Sequence, residues 1–183
     1  DGELAAGARS MNPEQDEAWR ISRAGSLGAS QIAAMLAKTK AGWGASRANL
    51  AAGLVLERLT GRPRRSFTTP AMQRGHDLEP AARDLYAFMT DADVHLVGLV
   101  PHPTIAGTHA SPDGLVNADG LVEVKCLGDE PHLEALQTGT IPNAYRLQAM
   151  WQITCTGRKW CDVALYHPDM PTFEMQLHIQ RIE

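Results

Sequence analysis

Ser111-Pro112-Asp113-Gly114-Leu115-Val116-Asn117-Ala118-Asp119-Gly120-Leu121-Val122-Glu123-Val124-Lys125-Cys126 holds two short apolar runs joined by Asn-Ala-Asp-Gly. Asn, Asp and Gly tolerate the backbone of a tight reversal, so the spacing predicts two antiparallel strands with Asp113 near the returning one. Strand period two then sorts the second run. Glu123 and Lys125 point to one face, while Val122, Val124 and Cys126 point to the other and can enter a core. An exposed hairpin with solvent-facing charges is the plainer reading of Glu-x-Lys alone. The upstream Pro112-Asp113, the turn between, and a preceding helix bearing Glu79 together favour a site.

A magnesium ion takes hard oxygen ligands in near-octahedral geometry and keeps several waters, so two carboxylates and a substrate phosphate suffice. Asp113 and Glu123 meet that need. Lys125 would hold its ammonium beside the metal, to orient an attacking water or help lower its pKa. Glu79 is a further carboxylate for the same site. These residue types in this order point to metal-dependent hydrolysis of a phosphodiester.

Upstream of the hairpin the pattern is helical. Asn12-Pro13-Glu14 opens a helix from Pro13 to near Arg23, Ser30 caps a second carrying Ile32, Met35 and Leu36, and Lys40 to Gly44 is a glycine-rich loop. Ser46 precedes a third helix with Leu50, Leu54 and Leu59, which Gly61 can end through a left-handed residue. Arg62 to Arg65 is a basic loop, and a long helix runs from Pro70 to Thr90, kinked or restarted at Pro80. Strands are predicted over Val94–Val100, Ala110–Val116, Leu121–Leu127, Trp160–Tyr166 and Phe173–Ile182, with helices over Pro131–Leu136 and Asn143–Thr154. The fold class is therefore α/β, helices first and then a mixed sheet crossed by helical material. We read one domain over residues 13–183, after a leader of residues 1–12 in which Met11 is a candidate natural start.

The 183 residues carry a net charge of -4, which masks a strong asymmetry. From Ala18 to Gly75 there are ten basic residues against one acid, Glu57, and from His76 onward six basic against fifteen acidic. A basic half suits a polyanion and an acidic half suits cations. No apolar run approaches the ~18 residues of a membrane span. Cys126, Cys155 and Cys161 form neither an even disulfide set nor a CxxC pair, which predicts a reducing, cytoplasmic setting. Three thiols also fall short of the four that an iron–sulfur nuclease cluster requires.

Ser-Pro-Asp-Gly-Leu followed by Gly-Leu-Val-Glu-Val-Lys-Cys resembles the central hairpin of the PD-(D/E)xK nuclease superfamily, and within it the phage lambda exonuclease or YqaJ-type viral recombinase family. The resemblance spans roughly Trp19 to Pro168 and implies a restriction-endonuclease-like core, a mixed β-sheet flanked by helices with an N-terminal helical region. It implies Asp113, Glu123 and the backbone carbonyl of Val124 as metal ligands and Lys125 as the catalytic lysine. Arg74-Gly75-His76-Asp77-Leu78-Glu79, with Ala82 and Tyr86, resembles the helix whose glutamate approaches the metal, which assigns Glu79. Trp19 to Ser30 is similar to the segment that receives a terminal 5′-phosphate, giving Arg23 and Ser30 that role with Ser111 as a third candidate. Arginine grips phosphate bidentately, and a helix N-terminus at Ser30 would favour the same anion.

Ile141 to Gln152 resembles the helix after the hairpin, so Tyr145 and Gln148, three apart on one face, are expected at the catalytic pocket. Trp151, Trp160 and Tyr166 are assigned to the core rather than to a base-stacking platform. One departure stands out: Leu127 to Pro131 lacks the arginine that follows the lysine in lambda exonuclease, leaving His132, or else a plain helix-surface histidine, as the nearest cationic candidate. The resemblance implies Mg²⁺, with Mn²⁺ as an alternative, and double-stranded DNA ends degraded 5′ to 3′. It also implies a ring-shaped homotrimer and a single-strand annealing protein as partner. The competing readings are an endonuclease of the same superfamily and a non-catalytic DNA-binding module.

Overall fold

The computed structural model describes residues 17–64 and 69–183. The chain begins with α1 (Glu17–Ser22), β1 (Leu27–Gly28), a 3-10 turn at Ala29–Gln31, α2 (Ile32–Leu36), the small hairpin β2 (Lys38–Thr39) and β3 (Gly42–Trp43), and α3 (Ala45–Thr60). It continues through α4 (Pro70–Thr90), β4 (Val94–His95), β5 (Val100–Pro101), β6 (Thr108–Ala110), β7 (Gly114–Val116) and β8 (Gly120–Cys126). The last elements are α5 (Asp129–Thr138), α6 (Asn143–Thr156), β9 (Trp160–Tyr166), α7 (Phe173–Gln176) and β10 (Leu177–Ile182). The expected leader, the first helix's start at Pro13 and Arg65 lie outside the described residues.

Asn117 takes a left-handed φ of 47° at the reversal, and β7 pairs antiparallel with β8 in the register Gly114–Val122, Leu115–Leu121 and Val116–Gly120. The main sheet has the order β10-β9-β8-β7-β4. Its β8–β9 pair is parallel and the others antiparallel, because α5 and α6 carry the chain back across one face between those two strands. Period two holds as the sequence requires. Val122 and Val124 join Ala82 and Tyr86 of α4 on one face, whereas Leu121, Cys161, Val163 and Leu165 pack with Ala135 and Ala149 of α5 and α6 on the other. Leu121, Val122, Val163 and Leu165 are fully buried, each stabilising the fold by roughly 1.5–3 kcal/mol. This central pair of strands is therefore a rigid mount for Glu123.

Four expectations are corrected. The run Val94–Val100 is not one strand: β4 joins the main sheet and β5 a smaller one of order β1-β6-β5, and Leu96 between them is 63% exposed, with no core to hold it in a ladder. Ala110–Val116 is likewise divided between the two sheets, because Pro112 has no N–H to give a ladder. Residues Phe173–Gln176 form a helical turn rather than a strand, since the Thr172 side chain accepts a hydrogen bond from the Met175 N–H and caps it. The loop Lys40–Gly44 closes into the β2–β3 hairpin. By contrast α4 passes through Pro80 as a single helix, started by Thr69 with Pro70 at its first position.

Candidate active site

Asp113 sits one step beyond the Gly114–Val122 pair, where the chain leaves the small sheet for the main one. Its Oδ2 accepts a hydrogen bond from the Val124 N–H at 2.7 Å, which fixes the aspartate against the strand that bears Glu123 and Lys125. Glu123 is almost wholly buried and its carboxylate is held by three donors. Lys125 Nζ and Gln148 Nε2 each reach Oε1 at 2.6 Å, and Gln152 Nε2 donates to Oε2. The two glutamines stand one turn apart on α6, so the helix that covers the sheet also clamps the carboxylate.

Burial raises the pKa of Asp113 well above the ordinary carboxylate range, and the neighbouring Glu123 and Glu79 carboxylates raise it further, against the opposing pull of Lys125 and the Val124 N–H. Lys125 shows the converse balance. Burial disfavours its ammonium, but Glu123 and Asp113 outweigh that and raise its pKa. Its Nζ also lies 5.4 Å from the centre of the Tyr145 ring, a favourable place for a cation. Glu79, on α4, forms an ion pair with Arg83 one turn later.

The donor set suits a hard divalent cation: carboxylate oxygens gathered where their mutual repulsion calls for positive charge. Among the described residues no three His, Cys, Asp or Glu side chains are drawn together as a ready ligand group. The fit therefore rests on the Asp113–Glu123 pair, the number of carboxylates that magnesium requires when waters complete its shell.

A cavity of about 420 Å³ opens over these groups, lined by Glu79, Asp113, Glu123, Val124, Lys125, Tyr145 and Gln148 and also by Arg23, Ser30 and Ser111. The N-terminal segment reaches it because β1 pairs in parallel with β6, setting Gly28 beside His109. Gly25 makes the preceding turn with φ 71°. Its N–H is held by Glu57 and its carbonyl by Arg58, and a Cβ there would lie 2.3 Å from Arg58 Cγ. The single acid of the basic half thus has a structural use. Ser30 does not cap a helix: Gly28 and Gln31 occupy the cap positions, and Ser30 borders the cavity from within the 3-10 turn. Ser111 Oγ is buried and has no hydrogen-bond partner among the described residues.

His132 is not brought to this cavity. It is fully buried on α5, with Nε2 2.7 Å from the Met175 carbonyl oxygen, so neither a phosphate contact nor a surface position describes it. Its sequence offset from Lys125 suggested proximity, but α5 turns it toward α7. Two cavity-related residues escaped the sequence reading. Gln152 follows Gln148 by one helical turn and carried the same signal. His109 precedes Ser111 by two residues, the strand period, yet its partner strand β1 is only two residues long and gave no pattern to align. Tyr166 is core as expected, and Trp160 is partly buried beneath Arg181, whose guanidinium carbon is 3.7 Å from its ring centre.

A mixed sheet whose inner strand carries Glu-x-Lys, with an aspartate on the adjoining hairpin arm and helices on both faces, defines the restriction-endonuclease-like core of PD-(D/E)xK nucleases. The chain belongs to the YqaJ-like viral recombinase domain family, which matches residues 18–159. The crystal structure of an alkaline exonuclease (LHK-Exo) from Laribacter hongkongensis is 43% identical, with a TM-score of 0.84 over 92% of this chain and 82% of that one. The structure of LHK-Exo in complex with dAMP matches over the same shares at 44% identity. A phage-related exonuclease from Haemophilus somnus 129PT shares the fold, with a TM-score of 0.64 at 12% identity over 86% of this chain and 84% of that one. No curated protein matches significantly.

Proposed function

We propose that this chain is a phage-type DNA exonuclease that hydrolyses double-stranded DNA from its ends, 5′ to 3′, with a divalent cation held by Asp113, Glu123 and the Val124 carbonyl. The observation that carries the reading is the meeting of Asp113, Glu123 and Lys125 in one cavity with Arg23, Ser30 and Ser111. The bound cation, Mg²⁺ or Mn²⁺, would stabilise charge on the scissile phosphate and lower the pKa of an attacking water. With no cation bound, the Glu123 and Asp113 carboxylates favour the Lys125 ammonium, whose N–H donors would orient that water or help lower its pKa. Gln148 fixes the Glu123 carboxylate, Tyr145 flanks the lysine, and Glu79 adds negative charge on the α4 side. Arg23, Ser30 and Ser111 receive the terminal 5′-phosphate, where the buried hydroxyl of Ser111 gains a partner.

A single nuclease domain of residues 13–183 and a cytoplasmic setting, on the strength of chain length and cysteine usage, and a homotrimeric ring with a single-strand annealing protein as partner, on the strength of the family resemblance, complete the proposal. Among the described residues no helix is long and apolar enough to cross a membrane. The test is digestion of a 5′-phosphorylated linear duplex, its 5′-hydroxyl counterpart and a closed circle, in magnesium and in EDTA. The proposal expects loss of the linear forms alone, faster with phosphate and only with metal. Cleavage of the circle would instead mark an endonuclease, and binding without cleavage a DNA-binding module.

A further inference from the structure

We propose that His109 is a positioning residue for phosphate recognition: it aligns Arg23 and ties it to the strand that leads into Asp113. This rests on the 5′-phosphate reading above and adds to it the part that sets the arginine's place.

Arg23 Nε lies 3.0 Å from His109 Nε2. A guanidinium can only donate, so Nε2 must be the bare nitrogen of the ring and the proton must sit on Nδ1. There it points at Ser26 Oγ, 2.8 Å away. One side chain therefore selects the tautomer and the other completes it. The imidazole is 2% exposed, and burial together with the adjacent Arg23 charge pushes its pKa down to about 4, so it remains an acceptor at working pH.

The backbone holds this relay rigidly. Gly28 pairs with His109 in the parallel β1–β6 register, and the Leu27 N–H donates to the Gly107 carbonyl at 2.9 Å. A Cβ on Gly28 would stand 3.1 Å from His109 Nε2 and 3.3 Å from Arg23 Nη2, so glycine leaves room there that a larger residue would take from the arginine and the imidazole by a few tenths of an ångström. Two residues beyond His109 the same chain presents the unpaired buried hydroxyl of Ser111, and two beyond that Asp113. Arg23 is thus referenced to the metal-binding carboxylate through β6 and its short extension rather than through the longer path of α2, α3 and α4. A phosphate gripped by Arg23 and Ser111 would sit at a set offset from the scissile bond, which is what removal of nucleotides from an end demands.

The test compares His109→Leu, which loses the acceptor, with His109→Gln, which keeps one, and with Ser26→Ala and Arg23→Ala. Each is assayed on 5′-phosphorylated and 5′-hydroxyl duplex, and by anisotropy of the same duplexes in EDTA. His109→Leu should weaken binding and raise KM on phosphorylated ends by about 10-fold, the loss of one charge-assisted hydrogen bond, with kcat and the 5′-hydroxyl substrate within about 3-fold. His109→Gln should restore most of it. Should His109→Leu fail to fold, Ser26→Ala decides, with a smaller loss confined to phosphorylated ends. Equal losses on both ends, or an unchanged phosphate preference in the deciding variant while Arg23→Ala abolishes it, overturns the role of His109. A phosphate preference that survives Arg23→Ala instead overturns the phosphate reading itself.

Discussion

Gln152 donates its side-chain amide to Glu123 Oε2, the carboxylate oxygen that Lys125 and Gln148 leave aside. Gln152 is fully buried, and its own Oε1 accepts from Cys161 Sγ at 3.5 Å. A buried polar chain of this kind fixes the orientation of the Glu123 carboxylate, and where such a carboxylate ligates a metal, as proposed, these supports are worth about 10- to 100-fold in metal affinity or activity. Gln152→Leu should therefore raise the magnesium concentration needed for half-maximal cleavage by about tenfold or more. Calorimetric magnesium titration checks it. An unchanged affinity with only a lower Tm would reduce Gln152 to a core residue.

Lys125→Ala addresses the chemistry rather than the ligand geometry. The ammonium pairs with Glu123 at 2.6 Å, so its loss should lower Tm, yet apolar residues pack both faces of the sheet and β8 is paired with β7 and β9, so the sheet should still form. Magnesium-dependent cleavage should fall by at least about a hundredfold, while binding of duplex DNA in EDTA stays within a few fold, as gel shift would report. Retained cleavage would remove the proposed mechanism.

Asp113→Asn should separate metal binding from folding. Asp113 is a raised carboxylate, its burial and its Glu123 and Glu79 neighbours favouring the protonated form in the folded state. A raised acid gives stability that is full below its unfolded pKa and is lost as pH rises through the folded value. In EDTA at pH 8 the asparagine variant should melt at or above the wild-type temperature. Magnesium should then raise the wild-type Tm more than the variant's and leave the variant at least about a hundredfold less active. A wild type unmoved by magnesium would argue against Asp113 as a ligand.

The parts of this fold legible in the sequence are those where one physical signal acts alone. Trp160–Tyr166 and the Glu123–Lys125 alternation follow from period two and burial on both faces, and Asn143 to Gly157 from helical spacing with a left-handed glycine at its end, φ 68°. The misread segments are those where tertiary partners decide. Ala110–Val116 has strand composition throughout, yet the chain changes sheets at Ser111-Pro112-Asp113, and that change is what carries Asp113 to the cavity. His132 was misplaced for a related reason, since distance along the chain does not say to which side a helix rotates a residue. His109 acquires its meaning only from Arg23, eighty-six residues away.

That long-range contact gives a prediction that can be checked without substrate. The folded-state pKa of His109 is pushed down to about 4 from an ordinary 6.5, chiefly by burial and then by the Arg23 charge. Between those values the unfolded chain takes up a proton that the folded chain refuses. The stabilising contribution of the neutral ring is therefore complete above about pH 6.5 and is lost progressively as pH falls toward 4, by about 1.4 kcal/mol per pH unit at most and roughly 3 kcal/mol in all. Asp113 works with the opposite sign over part of this range, so the total stability curve of the wild type is not diagnostic. His109→Gln keeps Asp113 and every other titrating group but cannot take up this proton. Urea unfolding of both proteins in EDTA from pH 7.5 to pH 4 should show the wild-type advantage shrinking by about that amount as the medium is acidified. A difference that stays constant across the range would mean that the ring takes its proton in the folded protein as easily as in the unfolded one, and that Arg23 is not held by a neutral imidazole.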